Sequence, residues 1–252
     1  MYFVAKPNTD AFNFLDAAGI TRTDNNSAII KGIADLTTDL RQYGLWDKMK
    51  AIYPFVGQAG VSSSFQYNLK DPNTFRGTFV GGWTFASTGV TGDGTSAYMN
   101  TNFDNTTGTL NSAHLSVYLR TNINLGKAMI GGNDSNGRHY LGQGNSFATI
   151  NSAAEGNYNP SSYQGFHTIK RETSTETKQF YNGSLNTTST IISTGKVNVN
   201  FYVAARNTNG SPANYNNNQF AFVSIGDGLT DTQVANFYTA VQRFQTTLGR
   251  QV

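Results

Sequence analysis

The chain has 252 residues, a formal net charge of +3 and no cysteine, and charged residues make up 13% of it, about half of the ~25% found in ordinary globular domains. So weak a positive charge argues against nucleic acid and anionic membranes as partners, and the lack of cysteine excludes disulfides and thiolate chemistry. No run of ~18 consecutive apolar residues occurs, so membrane insertion is not expected.

Two helices are predicted near the start of the chain. Thr9 or Asp10 caps a short helix that stops at Gly19, because glycine readily takes the left-handed backbone that ends a helix. From Asp24, apolar residues recur every three or four positions until Gly44, which predicts a second helix with one apolar face.

The chain is interpreted as two units, a helical segment at residues 1–50 and one large β domain at residues 51–252. A further helical turn is predicted over residues 45–50. Residues 1–7 contain too short an apolar run for a signal peptide, so no export signal is expected. A β domain of ~200 residues is of ordinary size for a sandwich or barrel.

The hydrophobic period changes to two between Ala51 and Gly228, in short segments interrupted by Gly, Asn, Asp and Pro. Asn182-Gly183 is the preferred pair for a two-residue hairpin turn. The predicted strands are residues 52–56, 78–80, 98–101, 114–120, 128–130, 139–142, 147–150, 165–171, 178–181, 201–206 and 220–225.

A third helix follows the predicted strands. Thr230 and Gln233 have the spacing of a capping box, and the apolar stripe behind them ends before Gly249. The fold class expected from these elements is mainly β, an antiparallel jelly-roll β-sandwich with an N-terminal helical segment and a C-terminal helix.

Three segments resemble the concanavalin A-like lectin/glucanase jelly rolls, above all their laminin G-like branch. They are residues 81–98, which include Gly-Gly-Trp-Thr-Phe and Gly-Asp-Gly-Thr-Ser-Ala-Tyr, residues 179–185, which read Gln-Phe-Tyr-Asn-Gly-Ser-Leu, and residues 220–234. Residues 49–57 and 237–249 are similar, more narrowly, to jelly-roll proteins of tailed bacteriophages and prophages. The resemblance covers residues 50–252.

This resemblance implies a non-enzymatic component of a bacteriophage virion, such as a capsid decoration, a head fibre or a tail protein, assembled in the host cytoplasm. Its partners would be other virion proteins and further copies of itself, so a homo-oligomer is expected. The alternative is a carbohydrate-binding adhesin module for host surface glycans, and a degenerate glycoside hydrolase ranks third.

The glucanase branch hydrolyses glycosides with paired carboxylates, ~5 to 5.5 Å apart in retaining enzymes. Glu172 and Glu176 match the outer positions of the family's Glu-x-Asp-x-Glu motif, but Ser174 replaces the central Asp. Residues four apart on a regular strand are also ~13 Å apart. We therefore expect no catalytic residues and no enzyme.

No cofactor is required by the sequence, and calcium is the one ion weighed. The three histidines lack the spacing of metal ligands. Calcium is often held by Asp and Asn oxygens on loops, and Asp134 is the best ligand candidate. Asp and Asn are also default turn residues, and turn chemistry is the favoured explanation.

Two weak sets of contact residues are proposed. Tyr158, Tyr163 and Tyr215 lie in polar segments and would supply aromatic platforms for a sugar, although tyrosines at sheet edges are a common alternative. A partner interface is suggested by three apolar residues beside the second helix, for which packing within the chain is the simpler explanation: Leu45, Trp46 and Met49.

Overall fold

The computed structural model describes residues 8–57 and 60–252, in which two β-sheets pack face to face and three α-helices cover one of them. The helices are α1 (Thr9–Ala17), α2 (Ser27–Gln42) and α3 (Asp231–Thr247). The strands are β1 (Met49–Tyr53), β2 (Thr78–Val80), β3 (Trp83–Ala86), β4 (Gly89–Gly92), β5 (Tyr98–Asp104), β6 (Ala113–Leu119), β7 (Ala128–Asp134), β8 (Gly137–Gly142), β9 (Gly144–Ser152), β10 (Gly156–Tyr158), β11 (Gly165–Arg171), β12 (Thr177–Tyr181), β13 (Ser184–Ser189), β14 (Asn200–Val203), β15 (Arg206–Thr208), β16 (Ser211–Ala213) and β17 (Gln219–Gly226).

The eight-stranded sheet has the order β13-β12-β11-β6-β17-β4-β3, with β1 also paired to β17, and is called the covered sheet. The nine-stranded sheet has the order β10-β9-β8-β7-β14-β5-β2, with the β15–β16 hairpin beside β7, and is called the open sheet. All described strand pairs are antiparallel except β15 with β7, which pairs Asn207 with Gly132 in parallel. The predicted mainly β, antiparallel sandwich with N-terminal and C-terminal helices is confirmed.

The first core fills the space between the two sheets. Alternate residues of the central strands point into it, such as Leu115 and Val117 on β6 and Met99 on β5. Tyr53 is fully buried there, and its hydroxyl donates to the carbonyl of Thr101 at 2.9 Å. Burial raises the pKa of this phenol, which keeps it a neutral donor linking the sheets.

A second core lies between the covered sheet and the helices. Phe166 and Phe222 project outward from the sheet, and both meet Phe237 of α3 edge to face, with ring centroids 5.2 and 5.9 Å apart. Because α1 and α2 contribute to the same cluster, the predicted helical segment packs into the body of the domain. The boundary at residue 50 also falls within β1, which begins at Met49.

The residues suggested as a partner interface belong to this second core. Leu45 and Met49 are 0% and 1% exposed, and Trp46 is 6% exposed. All three pack with the helices and the covered sheet of the same chain. The interface prediction is corrected, because side chains buried in their own domain have no surface left for a partner.

The helix ends follow local sequence signals. Asn8 caps α1, one residue before the predicted Thr9, and its side chain accepts from the backbone NH of Ala11. Thr230 and Gln233 form the predicted capping box of α3. Over residues 8–57 and 60–252, no helix combines the length and apolarity needed to cross a membrane. The interpretation of residues 1–7 lies outside the described residues.

Candidate functional site

The two sheets differ in what lies on their outer faces. The outer face of the covered sheet forms the second core, and that core includes no residue of the open sheet among the described residues. Along β5, Met99 and Phe103 point into the sandwich, so Tyr98, Asn100 and Asn102 point away from it. On this outer face, accessible side chains lie along β5, where Asn102 is exposed and Tyr98 and Asn100 are half-buried.

Residues paired between six neighbouring strands, from β2 to β9, form one row on this face. The register pairs Thr78 with Asn100, Asn100 with Tyr202, Tyr202 with Gly131, Gly131 with Tyr140, and Tyr140 with Thr149. Gly131 has φ +130, and a Cβ there would lie 2.2 Å from the carbonyl oxygen of His139. The row thus has no side chain between its two tyrosines, and this break in the row at Gly131 is called the gap.

Tyr98 and Tyr202 stack on one side of this gap. Their ring centroids are 4.5 Å apart and their planes differ by 28°. Tyr202 is 7% exposed, whereas Tyr98 is half-buried and supplies the accessible ring surface. Such an offset pair contributes roughly 0.5–1.5 kcal/mol beyond its buried area, so the rings hold each other in place.

Amide and hydroxyl groups surround the tyrosine pair. The backbone NH of Asn102 donates to Oδ1 of Asn100 at 2.9 Å. The side-chain Nδ2 of Asn102 donates to the carbonyl of Arg76 at 2.7 Å and to Oγ1 of Thr78 at 3.2 Å. These bonds fix polar groups beside an aromatic ring, the combination that holds small polar ligands in orientation.

A cationic group lies on the other side of the gap. The guanidinium carbon of Arg206 is 5.3 Å from the ring centroid of Tyr140 and 5.6 Å from that of Phe147. The hydroxyl of Tyr140 donates to Oε1 of Glu155, which also binds Nε of Arg138 at 2.8 Å. Burial and this hydrogen bond raise the pKa of the Tyr140 phenol.

The predicted sugar platform of three tyrosines is not assembled. Tyr158 is fully buried, and its hydroxyl lies 2.6 Å from Nδ1 of His167. Tyr163 is 4% exposed, and its hydroxyl accepts from the NH of Gly144 at 2.7 Å. The prediction for these two rings is corrected, because both are used inside the fold. Tyr215 is half-buried in the loop after β16 and is the one ring of the three with appreciable exposed surface.

Asp134 is a turn residue in the structure. Its Oδ1 accepts from the backbone NH of Asn136 at 2.8 Å, and its Oδ2 accepts from that of Asn198 at 2.6 Å. In the part of the chain that the structure describes, no three His, Cys, Asp or Glu side chains come together as metal ligands. Both oxygens of Asp134 are engaged by backbone NH groups, as the turn chemistry favoured from the sequence predicts.

Glu172 and Glu176 belong to an ion-pair chain at the start of α3. Glu172 binds Nζ of Lys170 at 2.6 Å, and Glu176 lies 3.9 Å from Nζ of Lys178. Asp231 joins the two lysines, at 2.5 and 3.0 Å. Burial acts to raise the pKa of Asp231, but the hydrogen bonds from the lysines outweigh it and leave that pKa lowered. Asp231 thus anchors the start of α3 to the covered sheet.

A cavity of about 680 Å³ lies beside α1. Asp10 on its wall is paired with Arg41, and Asp16 is paired with Arg22 at 2.5 Å. Trp46 also borders it, but Nζ of Lys70 lies 4.6 Å from the centroid of its ring. Asp10 and Asp16 thus already have cationic partners, and we take the open sheet as the stronger candidate for ligand binding.

Sequence reasoning missed Tyr98, Tyr202 and Arg206. Tyr98 is the last residue of a segment that resembles the lectin-like family. Apolar and polar residues alternate along the strand that it begins, which indicates that the Tyr98 side chain points outward. Its stacking partner lies on β14, which is distant in sequence. The pairing of β5 with β14 brings the two rings together, and no local pattern specifies that pairing.

No protein-family model matches the chain, and no curated protein matches it. Among solved structures, the receptor binding domain of botulinum neurotoxin C/D mosaic serotype aligns with a TM-score of 0.51 and 12% identity, over 77% of this chain and 51% of that one. A structure of botulinum neurotoxin type C, whose cell entry depends on interaction with two ganglioside molecules, aligns with a TM-score of 0.50 and 13% identity, over 80% and 53%. Domain 4 of AbnA, a GH43 extracellular arabinanase from Geobacillus stearothermophilus in complex with arabinotriose, aligns with a TM-score of 0.49 and 16% identity, over 75% and 98%. The chain spans about half the length of the toxin chains, and the likeness to them shows a shared β-sandwich fold.

Proposed function

We propose that this protein is a non-catalytic carbohydrate-binding module that holds glycans on the outer face of its open sheet. The observation that carries the proposal is the Tyr98–Tyr202 stack beside Asn100, Asn102 and Thr78 on that face. A sugar presents an apolar face of C–H groups and a rim of hydroxyls. An exposed aromatic ring suits the first, and amides and hydroxyls suit the second.

Binding without catalysis is the chemistry that these residues favour. On the open face, Glu155 already accepts from Tyr140 and pairs with Arg138. Glu172 and Glu176 bind lysines near α3. A glycosidase needs an acid and a nucleophile or base flanking one bond, and these carboxylates are committed to separate partners.

The bacteriophage virion placement and the self-association remain predictions from the sequence resemblance. They are compatible with a glycan-binding module, because many weak copies on one particle give strong attachment by avidity. Light scattering of the purified protein tests the self-association directly.

A glycan array, followed by calorimetry on the best ligand, tests the proposed function. The panel includes ganglioside glycans, because the type C toxin of similar fold interacts with gangliosides. We expect Tyr98→Ala to weaken binding about tenfold, the effect of losing ~1.4 kcal/mol of ring contact. Tyr43→Ala removes a half-buried tyrosine on the helical side and serves as the matched control, with thermal unfolding recorded for both variants. An array without signal, or equal loss in both folded variants, contradicts the proposal.

A further inference from the structure

We propose that the glycan recognised by the open sheet is acidic, and that Arg206 binds its carboxylate. This inference rests on the proposed function and specifies the class of its ligand. It concerns the side of the face opposite the tyrosine pair, where Arg206 lies over Tyr140 and Phe147.

The guanidinium of Arg206 is held in position by the groups beneath it. Two aromatic rings support it, with centroids 5.3 and 5.6 Å from the guanidinium carbon, and Nε donates to Oγ1 of Thr208 at 3.3 Å. Tyr140 is fully buried below, so the ring cannot move away. A supported guanidinium loses less side-chain entropy on binding than a free one.

Arg206 has no carboxylate partner within the described ranges. The nearby acid, Glu155, is paired with Arg138 instead, with Nε of Arg138 2.8 Å from Oε1 of Glu155. The Tyr140 hydroxyl donates to the same oxygen of Glu155, so Oε1 holds both contacts of this acid. Pairing with Arg138 reduces the repulsion that Glu155 would exert on an incoming anion.

The chemistry of this position selects a planar anion. The guanidinium presents parallel N–H groups that match the two oxygens of a carboxylate, and such bonds are stronger than those between neutral groups. A ligand whose neutral rings meet Tyr98 and whose carboxylate meets Arg206 would use both sides of the gap at Gly131. Sugars of the hexuronic or sialic acid class have this combination.

The test compares acidic glycans with matched neutral ones. Trigalacturonic acid is measured against its methyl ester, and sialyllactose against lactose, with a sulfated disaccharide to separate sulfate from carboxylate. We expect the wild type to prefer at least one acid about tenfold or more, the usual gain from a charged hydrogen bond. Raising the salt concentration should reduce this preference.

Arg206→Gln should abolish the preference while leaving the neutral sugar bound as before. Arg22→Gln is the matched control, because Arg22 also lies over a ring, that of Phe12 at 4.7 Å, on the helical side of the domain. The inference is overturned if acid and ester bind with equal affinity, or if the acid preference survives Arg206→Gln. Glycan binding itself is judged separately, by the Tyr98→Ala result. Preference for the sulfated sugar over both carboxylates also overturns the inference. Absence of any glycan binding overturns the proposed function and this inference together.

Discussion

Nδ1 of His139 lies 3.1 Å from Oδ1 of Asn151 in the interior of the sandwich, and the opposite ring nitrogen of His139 has no partner among the described residues. The imidazole is 1% exposed and packs on Phe201 with centroids 4.7 Å apart. Burial lowers the pKa of His139 to about 3. The side chain is therefore neutral at pH 7, and it donates from Nδ1 to the amide oxygen.

Acid should destabilise the fold through this histidine and two others. Burial lowers the pKa of His114 and His167 to about 4 each, against ~6.5 in an unfolded chain. Below pH 6.5 the unfolded state binds protons that the folded state does not, so stability decreases as the pH falls from about 6.5 towards 4. Urea unfolding at several pH values should show this decrease.

His139→Phe should reduce the slope of that decrease. The variant keeps a ring against Phe201, and Asn151 Oδ1 still accepts from Nδ2 of Asn105 at 2.8 Å. Between pH 6 and 4 we expect its unfolding free energy to depend on pH by up to ~1.4 kcal/mol per unit less than that of the wild type. Identical slopes would mean that His139 takes up a proton in the folded state.

The helices were predictable because their signals are local. Gly19 and Gly44 have φ of +68 and +65, as expected for residues that end helices, and Thr230 with Gln233 closes the capping box. The cap of α1 was predicted one residue late, because Asn8 and Thr9 are both suitable residues. The shared core of α1, α2 and α3 was not predictable, because the apolar face of a helix does not show which element it packs against.

Most strands with apolar side chains were predicted, although β3 (Trp-Thr-Phe-Ala) was not. β2 and β11 have the predicted bounds. β4 and β13 were missed, because β4 contains two glycines and β13 is an exposed edge strand of Ser, Thr and Asn with a single leucine. Neighbouring strands supply the hydrogen bonds that order such segments.

The candidate site was the least predictable part. Tyr158 and Tyr163 stand among Asn, Ser, Gly and Pro, which indicates exposure, yet both rings turn inward to His167. The imidazole bonds the Tyr158 hydroxyl, and the Tyr163 hydroxyl accepts from the NH of Gly144 and donates to the carbonyl of Tyr158, so burial of these phenols has little cost. The tyrosines on the open sheet become neighbours only through strand pairing.

Arg250 should be essential for stability. Its buried guanidinium donates to the carbonyls of Pro54, Phe55 and Ala221 at 2.7 to 2.8 Å, which ties the segment that follows α3 to the covered sheet. Arg250→Met would leave three carbonyls without this donor, at a cost of about 3 kcal/mol or more. The matched Arg22→Met change, in an ion pair with Asp16 whose side chains are 48% and 64% exposed, should cost about 1 kcal/mol or less. Guanidinium chloride unfolding measures both, and equal losses would contradict this role for Arg250.

Substitutions at two hairpin glycines distinguish the cost of backbone strain from the cost of crowding. Gly183 and Gly210 each follow an Asn in a two-residue turn, with φ of +76 and +92. A Cβ at Gly210 meets nothing within 4 Å, whereas at Gly183 it would lie 2.9 Å from Cβ of Tyr238. That atom is next to the backbone of α3, so it cannot rotate away.

Gly183→Ala should therefore cost more than Gly210→Ala. The second change carries only the left-handed backbone penalty of about 1 to 2 kcal/mol. The first adds overpacking, typically about 1 to 3 kcal/mol, and also displaces the hairpin from α3. Denaturant unfolding of the two variants gives the difference, and Gly183→Ala measured in a Tyr238→Gly background should lose the additional part, because the blocking Cβ and the ring beyond it are gone. If the two glycine substitutions are equally destabilising in both backgrounds, the β12–β13 turn does not press on the helix, and the close packing of hairpin and helix is wrong.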